Sequence, residues 1–192
     1  MFSNKKGEFG YLKKQAVRTG LFVLLLVIMS AGLFLLGFKL TGDSKNLLTV
    51  AAVLGMLPAS KVLVSMIMYM RAEKYSCSKN DKDEISEFLG DYELYGYDFY
   101  LTSYNSFFPI IAATCAKGTL ICYMAQTKKA TANACEDHIE EYMKKNSISG
   151  VNVKVFTDRK KFMERLKALS EDVYEAEEKE QAAFALLKSL TL

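Results

Sequence analysis

Two long apolar runs fill the chain from about residue 19 to 40 and from 47 to 69, with Thr41-Gly42-Asp43-Ser44-Lys45-Asn46 between them. In the first run no charge falls between Arg18 and Lys39. About 20 apolar residues in a helix cover ~30 Å, the hydrocarbon thickness of a bilayer. The second run is interrupted by Gly55, Pro58, Ser60, Lys61 and Ser65, yet its Leu, Val and Ile residues still favour insertion. The pair therefore predicts a transmembrane helical hairpin over 19–70. A cleaved signal peptide has an apolar core of about 7–15 residues followed by a small-residue site. This run is longer, and a second one follows it.

Beyond the hairpin the pattern changes to that of a small folded domain. Residues 71–82 are polar and read as a juxtamembrane linker, with Asn80 or Asp81 to cap a short helix ended by Gly90. Aromatic and β-branched runs at 97–104, 107–116 and 119–125 are separated by Asn105-Ser106 and Lys117-Gly118, which predicts a three-stranded meander. Pro109 cannot donate to a ladder and belongs at a strand start or edge. Thr131–Asn146 has helical spacing, with Asn133 and Glu136 resembling a capping box. Val151–Phe156 reads as a fourth strand. A helix starting after Thr157 or Asp158 continues, by its spacing, through an acidic stretch to Leu190.

The expected fold is an α+β (mixed α/β) domain of order α-βββ-α-β-α over 83–192, anchored by the hairpin. Residues 1–18 form a basic leader. Gly32, Gly37 and Gly55 are candidates for close helix contact, although no G-x-x-x-G occurs.

Charge adds an orientation. Lys5, Lys6, Lys13, Lys14 and Arg18 precede the first run, and Arg71, Lys74, Lys79 and Lys82 follow the second; the connecting loop has Lys45, with Lys39 at its edge. Basic residues collect on the cytoplasmic side. Both termini are therefore expected in the cytoplasm, with the protein multi-pass in the cell (plasma) membrane. The net charge of +3 is mostly juxtamembrane, which favours anionic lipid headgroups over nucleic acid as partners. The four cysteines, Cys77, Cys115, Cys122 and Cys135, form no C-x-x-C pair. A cytoplasmic domain keeps them reduced.

Candidate chemistry is sparse. Lys61 is an ionisable residue inside an apolar run, which makes it a functional candidate by default; snorkelling to the inner interface is its simplest explanation. Cys135 and His138 form a C-x-x-H pair, but zinc needs three or four such ligands. Lys128, Lys129, Lys144, Lys145, Arg159, Lys160 and Lys161 are basic without the interleaved aromatics that single strands require; the pattern reads first as a solvated basic surface and second as a site for phosphate or anionic headgroups. No Gly-x-x-x-x-Gly-Lys loop occurs.

The order helix, three strands, helix, strand, helix is similar to the core of restriction-endonuclease-like nucleases, over about half the chain. In that family the third strand carries E-x-K and the second an Asp, which together hold a divalent metal. The matching positions here read Gln126-Thr127-Lys128 and Phe108-Pro109-Ile110-Ile111-Ala112. A hard cation needs anionic oxygen ligands, so no cofactor or metal is expected. The expected role is a non-enzymatic binding or scaffold subunit, with a protein partner or as a homo-oligomer. Two alternatives stand beside it. One is a membrane-tethered enzyme with a degenerate nuclease-like domain, using Gln126 and Lys128. The other is a channel or transporter subunit oligomerised around Lys61.

Overall fold

The computed structural model describes residues 5–90, 92–104, 106–124, 129–170 and 175–192. Among them are six helices and one four-stranded mixed sheet. The chain divides into two compact units, Leu12–Glu73, and Met1–Tyr11 together with Lys74–Leu192.

The first unit is a helical hairpin of α1 (Tyr11–Thr41) and α2 (Leu47–Glu73). Helix α1 begins inside the stretch expected as leader, and α2 continues through Pro58. The connection is closed by side chains. Thr41 Oγ1 donates to Gly37 O at 2.8 Å, and Asn46 Oδ1 accepts from Thr49 N at 2.9 Å, which caps α2. From Val23 to Gly37 of α1 the shielded positions are Val23, Leu26, Ser30, Leu33 and Gly37; from Leu48 to Met66 of α2 they include Leu48, Ala52, Gly55, Ala59, Val62 and Met66, with Thr49 and Ser65 beside them. Each set advances by three and four residues in turn, the spacing that keeps one seam facing a partner helix.

The contacts across the seam run antiparallel. A Cβ at Gly20 would meet Met66 at 3.3 Å, one at Gly55 would meet Ser30 at 3.0 Å, and one at Gly37 would meet Leu48 at 2.9 Å. Gly32 meets nothing within 4 Å and takes no part in this seam. Both helices are long and apolar enough to cross a membrane, and only 11 % of the most apolar window of each is buried. A helix from the core of a soluble protein would be mostly buried instead.

The second unit is built on the sheet. Ser78, rather than Asn80 or Asp81, caps α3 (Lys79–Leu89): its hydroxyl accepts from Asp81 N, and the helix ends at Gly90. Strands β1 (Tyr95–Thr102), β2 (Phe107–Ala116) and β3 (Thr119–Tyr123) form an antiparallel meander. Lys117 and Gly118 turn between β2 and β3 with φ of 50° and 67°, the paired left-handed conformation of a tight hairpin. Pro109 lies near the start of β2, and pairing with β3 begins only at Ala112, so Pro109 has a strand neighbour on one side alone.

Helix α4 (Lys129–Lys145) carries the chain across to β4 (Asn152–Phe156), which lies parallel to β3. Asn133 is inside α4 rather than at its cap. The Glu136 carboxylate reaches out of the helix to accept from Val155 N at 2.7 Å, which ties α4 to β4. The C-terminal pattern resolves into two helices, α5 (Arg159–Ser170) and α6 (Glu178–Leu190), where one continuous helix was expected.

Helices cover both sheet faces. Cys135, Ile139 and Met143 of α4 and Ala183, Phe184 and Leu187 of α6 pack on one side. Ile85 and Leu89 of α3 and Phe162, Leu166 and Leu169 of α5 pack on the other. Strands buried on both faces lose the simple apolar–polar alternation. In β1 a further effect is present. Tyr95 and Tyr97 join the α3/α5 layer, whereas Phe99 and Leu101 join the α4/α6 layer. All four are odd-numbered, so the faces of the strand exchange at Asp98, whose φ is 58°. Strand β2 makes the matching exchange. Phe108 and Ile110 face α4/α6, Ala112 faces α3/α5, and Ala113 and Cys115 face α4/α6 again.

Candidate functional site

The backbone reversal at Asp98 turns its side chain into the interior, where it is 1 % exposed. A carboxylate leaves water only at a cost unless donors replace the hydration it loses. Here three do. Cys77 N and Ser76 Oγ donate to one oxygen at 2.7 Å each, and Gly10 N donates to the other at 2.7 Å. Burial pushes the carboxyl above the ordinary carboxylate range, against the pull of the bonds from Cys77, Ser76 and Gly10.

These donors come from the two segments that flank the hairpin. Gly10 directly precedes α1, and Ser76 and Cys77 follow α2 by a few residues. The leader is fixed at further points. Tyr97 N donates to Gly7 O at 2.8 Å, Phe9 sets its ring edge-on to Tyr97 at 6.2 Å, and the Lys82 ammonium lies 5.4 Å from the Phe9 ring. Gly96 leaves room for this approach, since a Cβ there would stand 2.7 Å from Gly7 O.

The C-terminal segment meets the same strand. Leu192 N donates to Tyr100 O at 3.0 Å, and Leu101 forms an antiparallel bridge with Thr191. Lys6 Nζ donates to Thr191 O, and the Tyr11 hydroxyl donates to Leu192 O at 3.3 Å. Strand β1 is an edge of the sheet. Leader and C-terminal segment together cover the backbone groups that an edge strand leaves open.

Groups suited to chemistry are engaged in structure. All four cysteines are free and buried. Burial, with Asp98 and Asp81 nearby, pushes the Cys77 thiol up to about 12. Burial pushes Cys115 and Cys135 to about 12 as well, and Cys122 well above the ordinary thiol value. A nucleophilic cysteine needs the opposite shift. Cys135 faces the core, while His138 packs against Phe108 and Tyr142 at ring distances of 5.4 and 4.9 Å. Burial lowers the pKa of His138. Among the described residues no group of three or more His, Cys, Asp or Glu side chains is placed to hold a metal ion.

Arg159, one of the expected basic residues, pairs with Asp81 at 2.8 Å and with Glu84, which joins α5 to α3. Glu180 belongs to the acidic stretch of the C-terminal helical pattern, yet it is fully buried. It completes a capping box with Glu177 at the start of α6 and accepts from Gly118 N in the β2–β3 turn.

Of the candidate residues, Lys61 stands on the exposed side of α2, off the seam. No carboxylate occurs between Glu8 and Asp43 or between Asp43 and Glu73 to neutralise it. Gln126 and Lys128 lie outside the described residues, and β2 carries no carboxylate. A cleft of about 470 Å³ runs along the hairpin, with Gln15, Arg18 and Thr19 as its polar lining and Leu21, Phe22, Leu25 and Val62 as its apolar one.

Asp98 was not singled out by the sequence pattern. Its one local signal is a lone carboxylate in a strand otherwise rich in aromatics, two residues after a glycine. Compared with protein families, with curated proteins and with solved structures, the chain matches none of them.

Proposed function

We propose that the protein is a two-span integral membrane protein of the cell membrane, with both termini in the cytoplasm, whose α+β domain is a non-enzymatic binding or scaffold subunit. One observation carries the topology. Asp98 is bonded both to the residue before α1 and to residues after α2. If the hairpin crosses a bilayer, both its ends must then emerge on the same side. The basic residues flanking the hairpin make that side the cytoplasm.

The non-enzymatic reading is supported by where the reactive groups are spent. Thiols are buried and raised, His138 is packed among rings, and the buried carboxylates Asp98 and Glu180 hold backbone N–H groups. Lys61 favours a homo-oligomer as one form of that assembly. A lysine on the lipid-facing side of a span costs ~2.5–3.5 kcal/mol near the bilayer centre. Snorkelling, or a neighbouring copy, relieves this cost.

The test is native purification of the full chain in a mild detergent, beside a reporter fused after Leu192. A stable complex and a cytoplasmic reporter are the expected results. Dispersal of a homo-oligomer by Lys61→Leu would assign the contact to α2. A solitary monomer with metal-dependent cleavage of DNA or RNA would overturn the scaffold reading, and an external reporter would overturn the topology.

A further inference from the structure

Outside α1 and α2, the described residues leave two large hydrophobic side chains exposed: Tyr104 at 99 % and Phe107 at 49 %. Both lie at one end of the β1–β2 hairpin, Tyr104 in the turn and Phe107 at the first position of β2. Ser103 N donates to Ser106 O at 2.7 Å across that turn. Behind the turn the aromatics continue inward. Phe107 stacks on Tyr100 at 5.7 Å with 14° between the rings, and it lies 6.2 Å from the Tyr75 ring. Tyr75 is two residues beyond the end of α2 at Glu73. Two residues of chain reach at most about 7 Å. The covalent chain thus keeps Tyr75 within about 7 Å of the last residue of α2.

We infer that the β1–β2 turn is a membrane-interface anchor, with Tyr104 and Phe107 seated among the lipid headgroups of the bilayer that the hairpin crosses. Tyrosine is enriched at membrane–water interfaces because its ring is apolar and its hydroxyl stays wet. Lys74, next to Tyr75, adds a cation at the level where anionic headgroups lie. Two rings of about 150–250 Å² each fall short of the ~800 Å² per partner that a stable protein interface needs. A lipid surface requires no such area. The turn would give the domain a third attachment beside the two flanks held by Asp98. This inference rests on the two-span reading.

The chain contains no tryptophan, so single-tryptophan variants report each position without background. Full-length Tyr104→Trp, Phe107→Trp and, as a lipid-exposed reference on α1, Leu25→Trp are placed in phosphatidylcholine–phosphatidylglycerol vesicles with and without acyl-chain bromination. The expected result is blue-shifted emission at all three positions, with loss of emission in brominated vesicles. Quenching of Leu25→Trp alone, with water-like emission from the turn variants, would overturn the anchor and leave the two spans standing. Quenching of none would remove the two-span reading and the anchor with it. Blue-shifted turn variants that brominated lipid leaves bright would mean that protein covers the turn, and this too would overturn the inference. Tyr104 is fully exposed, so its replacement leaves the packing of the domain untouched.

Discussion

At Asp98 the three donors, Gly10 N, Ser76 Oγ and Cys77 N, are satisfied by one side chain in a site nearly closed to water. Hydrogen bonds to a charged group contribute about 1.5–3 kcal/mol each, and unpaired buried donors are costly. Releasing the carboxylate from its burial offsets part of that. Asp98→Ala is therefore expected to destabilise the domain by about 3 kcal/mol, read as a lowered unfolding midpoint in detergent. Asp98→Asn keeps the left-handed backbone at little cost but turns an amide N–H₂ toward one of the donors, so a smaller loss is expected.

The pH dependence has a definite sign. The folded pKa of Asp98 is raised above its unfolded value of about 3.9. Its contribution is complete below that value and is lost as pH rises through the folded pKa. The stability gap between the wild type and Asp98→Asn should therefore be wider at pH 4 than at pH 7. The thiols follow the same rule at higher pH. Cys77, Cys115 and Cys135 are raised to about 12. Stability should therefore fall as pH climbs from the ordinary thiol value toward 12. Native protein at pH 8 should resist iodoacetamide until it is unfolded; rapid alkylation of the native state would contradict the buried geometry.

Among the elements, the hairpin and β1 illustrate opposite sources of order. The seam between α1 and α2 follows from local periodicity, with Ser30, Gly37, Ala52, Gly55 and Ala59 placed by helical spacing alone. Gly37 and Gly55 were legible as contact positions. Gly32, five residues before Gly37 and off the seam, was not distinguishable from them without the partner helix. Strand β1 depends on distant chain. At Gly96 the space a Cβ would need is taken by Gly7 O and the Phe99 ring, at 2.7 and 2.8 Å. Gly96→Ala should force the leader off the strand, since backbone cannot give way as a flexible side chain can. The expected cost is about 1–3 kcal/mol, with new protease cleavage between Lys5 and Arg18. An unchanged digestion pattern would show that the leader does not need that contact.

Across the whole molecule, the candidate site was far less legible than the fold. Strand β2 matched its sequence pattern in full, and both apolar helices stood out by length and hydropathy. Asp98 and Glu180 looked like ordinary polar residues, and their burial follows from partners far off in the chain: Gly10 and Cys77 for one, Gly118 for the other.

The sequence alone determined where the apolar helices lie, the meander, the parallel fourth strand's position in the order, and the basic flanks, because each is written in neighbouring residues through the repeat of a helix or strand. Tertiary structure alone decided that the leader pairs with the edge of β1, that the strand's faces exchange at Asp98, that Glu180 is interior, and that Phe107 meets the rings of Tyr100 and Tyr75. Those outcomes depend on which donors and which rings are brought within a few ångströms by folding, and local spacing carries no record of that.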